Sequence, residues 1–159
     1  MKIKFVAEIG LNHNGNFDLC FELIKKAKQS GADIVKFQLG WRGKVDQMNY
    51  IDDIRLQKLF DWANFFDVEI MFSVIDFDSL KMLNKFDVKK YKIASRTLKE
   101  NFKLVEEIVS LNKDTYISLG MTDLRYFPFD NDNVKYLWCK SEYPNDINEV
   151  LNFPSSFLD

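Results

Sequence analysis

The sequence predicts an α/β protein of the (β/α)8 TIM-barrel type, with about six of the eight β/α units represented. Short β-like runs alternate with longer segments whose apolar residues recur at helical spacing. The turns between them are short, which implies parallel strands joined by right-handed crossovers. No Gly-x-Gly-x-x-Gly follows the first strand and no Gly-x-x-x-x-Gly-Lys occurs anywhere, so nucleotide-binding sheets lack their fingerprint and the barrel is the better reading.

The elements follow in order. "IKFVAEIG" (3–10) alternates and breaks at Gly10, and "FDLCFELIKKAKQSG" (17–31) places Leu19, Leu23, Ile24 and Ala27 at helical spacing with Gly31 as its stop. "DIVKFQ" (33–38) is the second strand, after which a polar segment runs to about residue 52. In "DDIRLQKLFDWANFF" (52–66) Ile54, Leu56, Leu59, Phe60 and Trp62 fall as a helix requires. "VEIMFSV" (68–74), "KYKIAS" (90–95), "DTYISLG" (114–120) and "VKYLWCKS" (134–141) supply four further strands, with helices near 78–86 and 99–112 between the first three.

A chain of 159 residues with 47 % hydrophobic content is long enough for one buried core, so a single domain, 1–159, is expected. The net charge is −2 with the signs interspersed, which offers no groove for nucleic acid and no face for an anionic membrane. Charged residues at positions 2, 4 and 8 interrupt any signal-peptide core, and no apolar run is long enough to span a bilayer. Cys20 and Cys139, on an expected helix and strand, show no paired spacing and read as free core thiols of a reducing cytoplasm.

In such barrels the functional groups gather at the C-terminal ends of the strands. Here those ends carry Glu8, then Lys36 and Gln38, then Ser73, then Lys92 and Ser95, then Ser118, then Ser141 and Tyr143. Any one of these could simply cap a strand. Two lysines inside apolar strands are harder to set aside, because a buried ammonium needs an anion nearby. An anionic ligand would serve both, with Ser95 and Ser118 adding hydroxyl donors suited to phosphate or carboxylate oxygens. Glu8 is the contrasting group, able to accept a sugar hydroxyl or move a proton. His13, the single histidine, sits among Asn12, Asn14 and Gly15 in turn chemistry, where it either orients the loop or takes part in the reaction. One histidine does not build a transition-metal site unaided, so no metal ligand is assigned on this chain.

"AEIGLNHNGN" followed by "LIKKAKQSGADIVKFQ" resembles the opening of the N-acetylneuraminate (sialic acid) synthase family, and "YKIAS", "YISLGM" and "LWCKSEYP" resemble its later signatures in order. The resemblance runs from about residue 4 to residue 148. It implies a (β/α)8 barrel that condenses phosphoenolpyruvate with the open-chain aldehyde of an N-acylated amino sugar, typically N-acetylmannosamine, to give a nonulosonic acid and phosphate. It also implies a divalent metal, manganese or magnesium, and a cytoplasmic enzyme acting on small molecules. By resemblance Lys36, Lys92, Ser95, Ser118 and Ser141 hold phosphoenolpyruvate with Gln38 and Ser73 nearby; Tyr143 lines the same pocket. Glu8 contacts the acceptor sugar and helps proton transfer, and Asn12 and His13 belong to the substrate-binding loop.

The departures are specific. The segment after "VKFQ" is shorter than in the family, so the family's loop asparagine corresponds only weakly to Asn49. "SVIDFD" stands where the family reads Ser-Thr-Pro-Phe-Asp, which replaces a hydroxyl by Val74; Thr97 stands where an acidic residue is common, and Trp138 where a histidine is common. The family's metal-ligating histidines, its last two strands and its antifreeze-like domain would all lie beyond Asp159. The expectation is therefore a fragment of a longer synthase, a truncated gene product, or one half of a split barrel completed by a second chain or a homo-oligomer. The alternatives in function are a catalytically incomplete remnant or regulatory subunit that binds a phosphorylated acid, or a relative making legionaminic acid, pseudaminic acid or a spore-coat polysaccharide.

Overall fold

The structure is a computed structural model that describes residues 3–41, 47–122, 127–142 and 144–146. The elements run β1 (Val6–Gly10), α1 (Asp18–Gln29), β2 (Ile34–Leu39), α2 (Asp53–Phe65), β3 (Glu69–Val74), α3 (Phe77–Leu83), β4 (Lys90–Ile93), α4 (Ser95–Glu100), α5 (Phe102–Ser110), β5 (Asp114–Ser118) and β6 (Val134–Leu137). The strands follow chain order in one six-stranded sheet, and β1–β2, β2–β3 and β5–β6 pair in parallel. The expected α/β class stands. By contact the chain forms two compact units, Met1–Lys90 and Tyr91–Asp159.

In the first unit the period of two along β2 sorts its side chains. Val35, Phe37 and Leu39 are buried, while Lys36 and Gln38 between them lie on the other face, half-buried. Phe37 packs near Phe72 of β3 (ring centroids 6.4 Å apart), and Phe60 of α2 meets Phe72 at 5.4 Å, so this face is the one the helices cover. Burying a phenylalanine such as Phe37 completely contributes roughly 2–3 kcal/mol. Helices α2 and α3 begin where a carboxylate takes an orphan N–H: Asp52 accepts from Arg55 N at 2.8 Å, and Asp76 from Ser79 N at 2.8 Å. The β1–β2 register shifts between Glu8 and Gly10, where Gly10 adopts φ +56°. That irregularity turns the chain from the strand into the following loop.

In the second unit the expected single helix over 99–112 is two. Ala94 is extended (φ −71°, ψ 151°), so α4 starts directly after β4; Asn101 (φ −140°, ψ 61°) ends it. The Asn101 carbonyl then accepts from Leu104 N and Val105 N and opens α5, which buries Leu104, Val105, Ile108 and Val109. β6 also ends earlier than the run "VKYLWCKS" suggests. Cys139 lies past Leu137 and is half-buried, so it is not a core thiol, whereas Cys20 is fully buried on α1. Tyr136 fixes the preceding loop, its hydroxyl accepting from Phe129 N at 2.7 Å and donating to Phe129 O at 3.0 Å.

Candidate active site

In the first unit strand register sets the polar strand-end residues side by side. Glu8 of β1 stands opposite Lys36 of β2, and Gln38 opposite Ser73 of β3, so parallel pairing places these four polar residues on one face. Lys36 and Glu8 form an ion pair, with side-chain exposures of 11 % and 62 %. Lys36 thus has a carboxylate of the chain's own beside it. Ser73 is buried. Asn12, exposed, donates from Nδ2 to the Glu8 carbonyl at 3.4 Å.

After β1 the chain turns tightly. Asn12 N, Asn14 N and Asn16 N donate to the carbonyls of Ile9, Leu11 and His13, and Asn14 and Gly15 take positive φ (47° and 78°), which matches the expected Asn-Gly turn chemistry. A side chain at position 15 would collide with Met48 Cγ and approach the Met48 carbonyl oxygen at 2.9 Å, so the turn is pressed against the segment that precedes α2. His13 is 2 % exposed, with neither ring nitrogen hydrogen-bonded among the described residues. Burial first, and the Arg55 guanidinium second, hold its pKa below the ordinary histidine range. Arg55 donates to Tyr50 O at 2.6 Å and lies over the Phe17 ring at 5.6 Å.

The second unit is built from hydroxyls. Lys92 of β4, 8 % exposed, donates from Nζ to Ser118 Oγ at 2.6 Å and to Ile93 O at 2.7 Å. Ser95 Oγ accepts from Gly120 N at 3.0 Å and from Ser141 Oγ at 3.1 Å. With both lone pairs engaged, its proton is left for Cys139 Sγ, 3.5 Å away. The Cys139 thiol feels two opposed influences. Burial pushes its pKa up, but hydrogen bonds from Ser95, Ser118, Ser141 and the Gly120 N–H outweigh it and bring the pKa below the ordinary cysteine value. Donors that favour a sulfur anion are equally suited to the oxygens of a phosphate or carboxylate.

Ser95, Ser118 and Ser141 thus converge with Lys92 in the second unit, and Glu8, Lys36, Gln38 and Ser73 share a face in the first. Tyr143 lies outside the described residues. Gly120 and Arg55 were not singled out from the sequence, and Cys139 was read there only as a core thiol. Gly120 carried a signal, since a glycine just past a strand end marks close backbone approach, but no sequence signal ties Arg55 to His13. A cavity of about 850 Å³ opens in the first unit at the other end of the strands, lined by Asp33, Glu69 and Lys90 together with Lys28, Asn64 and Lys85. Its charges engage each other, with Lys28 3.4 Å from Asp67 and Lys90 3.6 Å from Glu69. No cluster of three or more His, Cys, Asp or Glu suited to a metal ion occurs among the described residues. They do not by themselves provide the metal centre that the resemblance implies.

The NeuB family model matches residues 42–152. The chain belongs to the NeuB family. Other members extend the likeness: the N,N'-diacetyllegionaminic acid synthase of Legionella pneumophila is 30 % identical, over 100 % of this chain and 52 % of its own length. The corresponding synthase of Campylobacter jejuni is 28 % identical over 94 % of this chain and 54 % of its own. The crystal structure of N-acetylneuraminic acid (sialic acid) synthetase from Leptospira borgpetersenii superimposes with a TM-score of 0.81 at 20 % identity, covering 94 % of this chain and 58 % of that one. This NeuB family chain spans about half the length of the curated relatives it matches.

Proposed function

We propose that the chain provides the phosphoenolpyruvate-binding residues of a sialic acid synthase-type enzyme, a transferase that joins phosphoenolpyruvate to an N-acylated amino sugar. The observation that carries this is the polar set at the ends of β4 to β6, where Lys92 donates to Ser118 while the Gly120 N–H and the Ser141 hydroxyl donate to Ser95. Such a set is organised before a ligand arrives, so anionic oxygens bind without a further cost of reorientation.

In the proposed reaction carbon 3 of phosphoenolpyruvate forms the new bond to the aldehyde carbon, whose oxygen takes up a proton. Water adds at carbon 2 and loses a proton, and the bond from carbon 2 to the phosphate oxygen breaks, releasing phosphate and leaving the keto acid. Lys92 and the serine hydroxyls hold the carboxylate and phosphate while charge shifts onto the leaving oxygen. In this proposal Lys36 is a second ammonium and Glu8 the group that carries a proton to or from the acceptor hydroxyl; the two pair with each other in the first unit. The divalent metal of the family is not matched by the described residues, so no step is assigned to it here. The acceptor is an N-acylated hexosamine in this reading. The location is the cytoplasm, where phosphoenolpyruvate is found; no helix among the described residues is long and apolar enough to cross a membrane.

Calorimetric titration with phosphoenolpyruvate tests the assignment, followed by phosphate release on addition of N-acetylmannosamine and manganese. Binding is expected to fall at least tenfold in Lys92→Met and in Lys36→Met. Unchanged affinity in both folded variants would remove the lysines from the site.

A further inference from the structure

In the second unit Ser95, Ser141 and Cys139 close a ring of hydrogen bonds. Ser141 Oγ donates to Ser95 Oγ at 3.1 Å, Ser95 turns its proton to Cys139 Sγ at 3.5 Å, and Sγ lies 3.8 Å from Ser141 Oγ. Because the Ser141 proton is spent on Ser95, the thiol proton completes the circuit at the Ser141 oxygen. The backbone holds the ring in place: the Gly120 N–H takes the other Ser95 lone pair at 3.0 Å, and a methyl group on Gly120 would stand 2.8 Å from Sγ. The sulfur is thus wedged against the chain just past β5.

Every proton of the ring points inward, so one bond must open before Ser95 can meet a ligand. The bonds are unequal. Hydroxyl oxygens accept well, whereas a thiol sulfur accepts weakly. The Ser95 to Cys139 bond is therefore the one that yields to a phosphate or carboxylate oxygen, whose charge makes the replacement stronger. No heavy atom has to move, since the proton turns about the Cβ–Oγ bond of Ser95.

We propose that Cys139 is a positioning residue for the anion: its sulfur holds the Ser95 proton in the free chain and surrenders it to an anionic oxygen of the incoming ligand. This rests on the function proposed above and adds a rivalry to it, in which sulfur and ligand weaken each other reciprocally. Loss of the thiol proton to solvent sharpens that rivalry, because a thiolate keeps the serine protons for itself. Burial opposes the ionisation and the hydrogen bonds at the sulfur, which outweigh it, favour it; no charged group is among the causes. The charged side chains around the ring are Lys92 on β4, which donates to Ser118 Oγ and Ile93 O, the exposed Arg96 beside Ser95 on α4, and Lys140 and Glu142, which pair at 3.1 Å.

Calorimetry with phosphoenolpyruvate, and in parallel with inorganic phosphate, is run at pH 7 and pH 9 on the whole 159-residue chain and on Cys139→Ala and Cys139→Ser. The 13Cβ signals of the two cysteines follow the thiol titration, with Cys20, pushed up to about 12, silent over this range. Affinity of the unaltered chain is expected to fall by about fivefold or more between the two pH values, and that of Cys139→Ala by less than about twofold. Lys92 is common to all three chains, so its own titration cancels. At pH 7 Cys139→Ala, which has no rival acceptor, should bind at least as tightly as the unaltered chain, and Cys139→Ser, with a stronger acceptor, more weakly. A purely structural role gives the opposite order, with serine milder than alanine, and that order overturns the proposal. So does a Cys139 titration that bound ligand leaves unmoved in the unaltered chain, a result that needs no variant. Phosphoenolpyruvate that binds with an affinity indifferent to pH sinks the positioning role alone. Phosphate that binds and raises the thiol titration while phosphoenolpyruvate does neither supports the role of Cys139 and sinks the synthase reading; binding of neither sinks both.

Discussion

In the first unit the strand ends carry an ion pair and the loop after β1 an unmatched histidine, whereas in the second the polar groups are mainly neutral hydroxyls that bond one another around a half-buried thiol. Glu8 and Lys36 meet because parallel register sets them side by side, and with Glu8 mostly in water the pair tolerates small movements. The Ser95, Ser141 and Cys139 group depends instead on the chain at Gly120 coming close enough to donate its N–H. An ion pair needs only register, while a hydroxyl cluster needs backbone placement to within tenths of an ångström. The second arrangement is held by bonds among its own members, and the first keeps unmatched ring nitrogens at His13.

The two cysteines offer the widest contrast. Cys20 is fully buried and its thiol is pushed up to about 12, by burial first, while Cys139 is shifted below the ordinary value. Iodoacetamide at pH 8 should therefore modify Cys139 at least ~1000-fold faster than Cys20 in the folded chain, as peptide mass mapping will show; equal labelling would break the comparison. Gly120→Ala comes next. Its methyl would lie 2.5 Å from Ser141 Oγ and 2.6 Å from the Cys139 carbonyl oxygen, so urea denaturation should show a loss of about 2–3 kcal/mol. Alkylation of Cys139 should slow in the same variant as its hydrogen bonds open. Glu8→Gln, by contrast, should cost no more than about 1 kcal/mol, and a larger loss would mean that the first unit's rim is as tightly determined as the second's.

The smallest effect concerns pH. His13 has a depressed pKa in the folded chain, so its neutral form is favoured there and the unfolded chain takes up the proton first. The stability this contributes is fully present above the ordinary histidine pKa, near 6.5, and is lost progressively as pH falls from there through the lowered folded-state value. Urea midpoints at pH 7.5 and 5.5 should differ in that direction, and His13→Gln should flatten the difference.

Most of the architecture was legible because βα repetition writes itself twice, in the period of two along "IVKFQ" and the helical spacing of Leu56, Leu59 and Ala63. The break at Asn101 was not, since 95–112 carries helix-compatible residues throughout and the interruption lies in the backbone angles of one asparagine. The end of β6 escaped for a similar reason. "VKYLWC" is continuously apolar, yet pairing stops after Leu137 and leaves Cys139 free to meet Ser95 and Ser141. The candidate residues were legible as polar types at strand ends. Their partners were not, because which residue of β2 faces Glu8 depends on a register that composition does not encode.

The order in which the strands pair also bears on how the chain reaches this state. β1 joins β2 and β2 joins β3, each through a separation of roughly thirty residues. Closing such loops costs entropy that grows only slowly with length, and each closure needs nothing downstream. As the polypeptide leaves the ribosome, β1 to β3 can be laid down one after another while the later strands are still being made, which shortens the time that apolar strand faces such as Val35 and Phe37 spend open to aggregation.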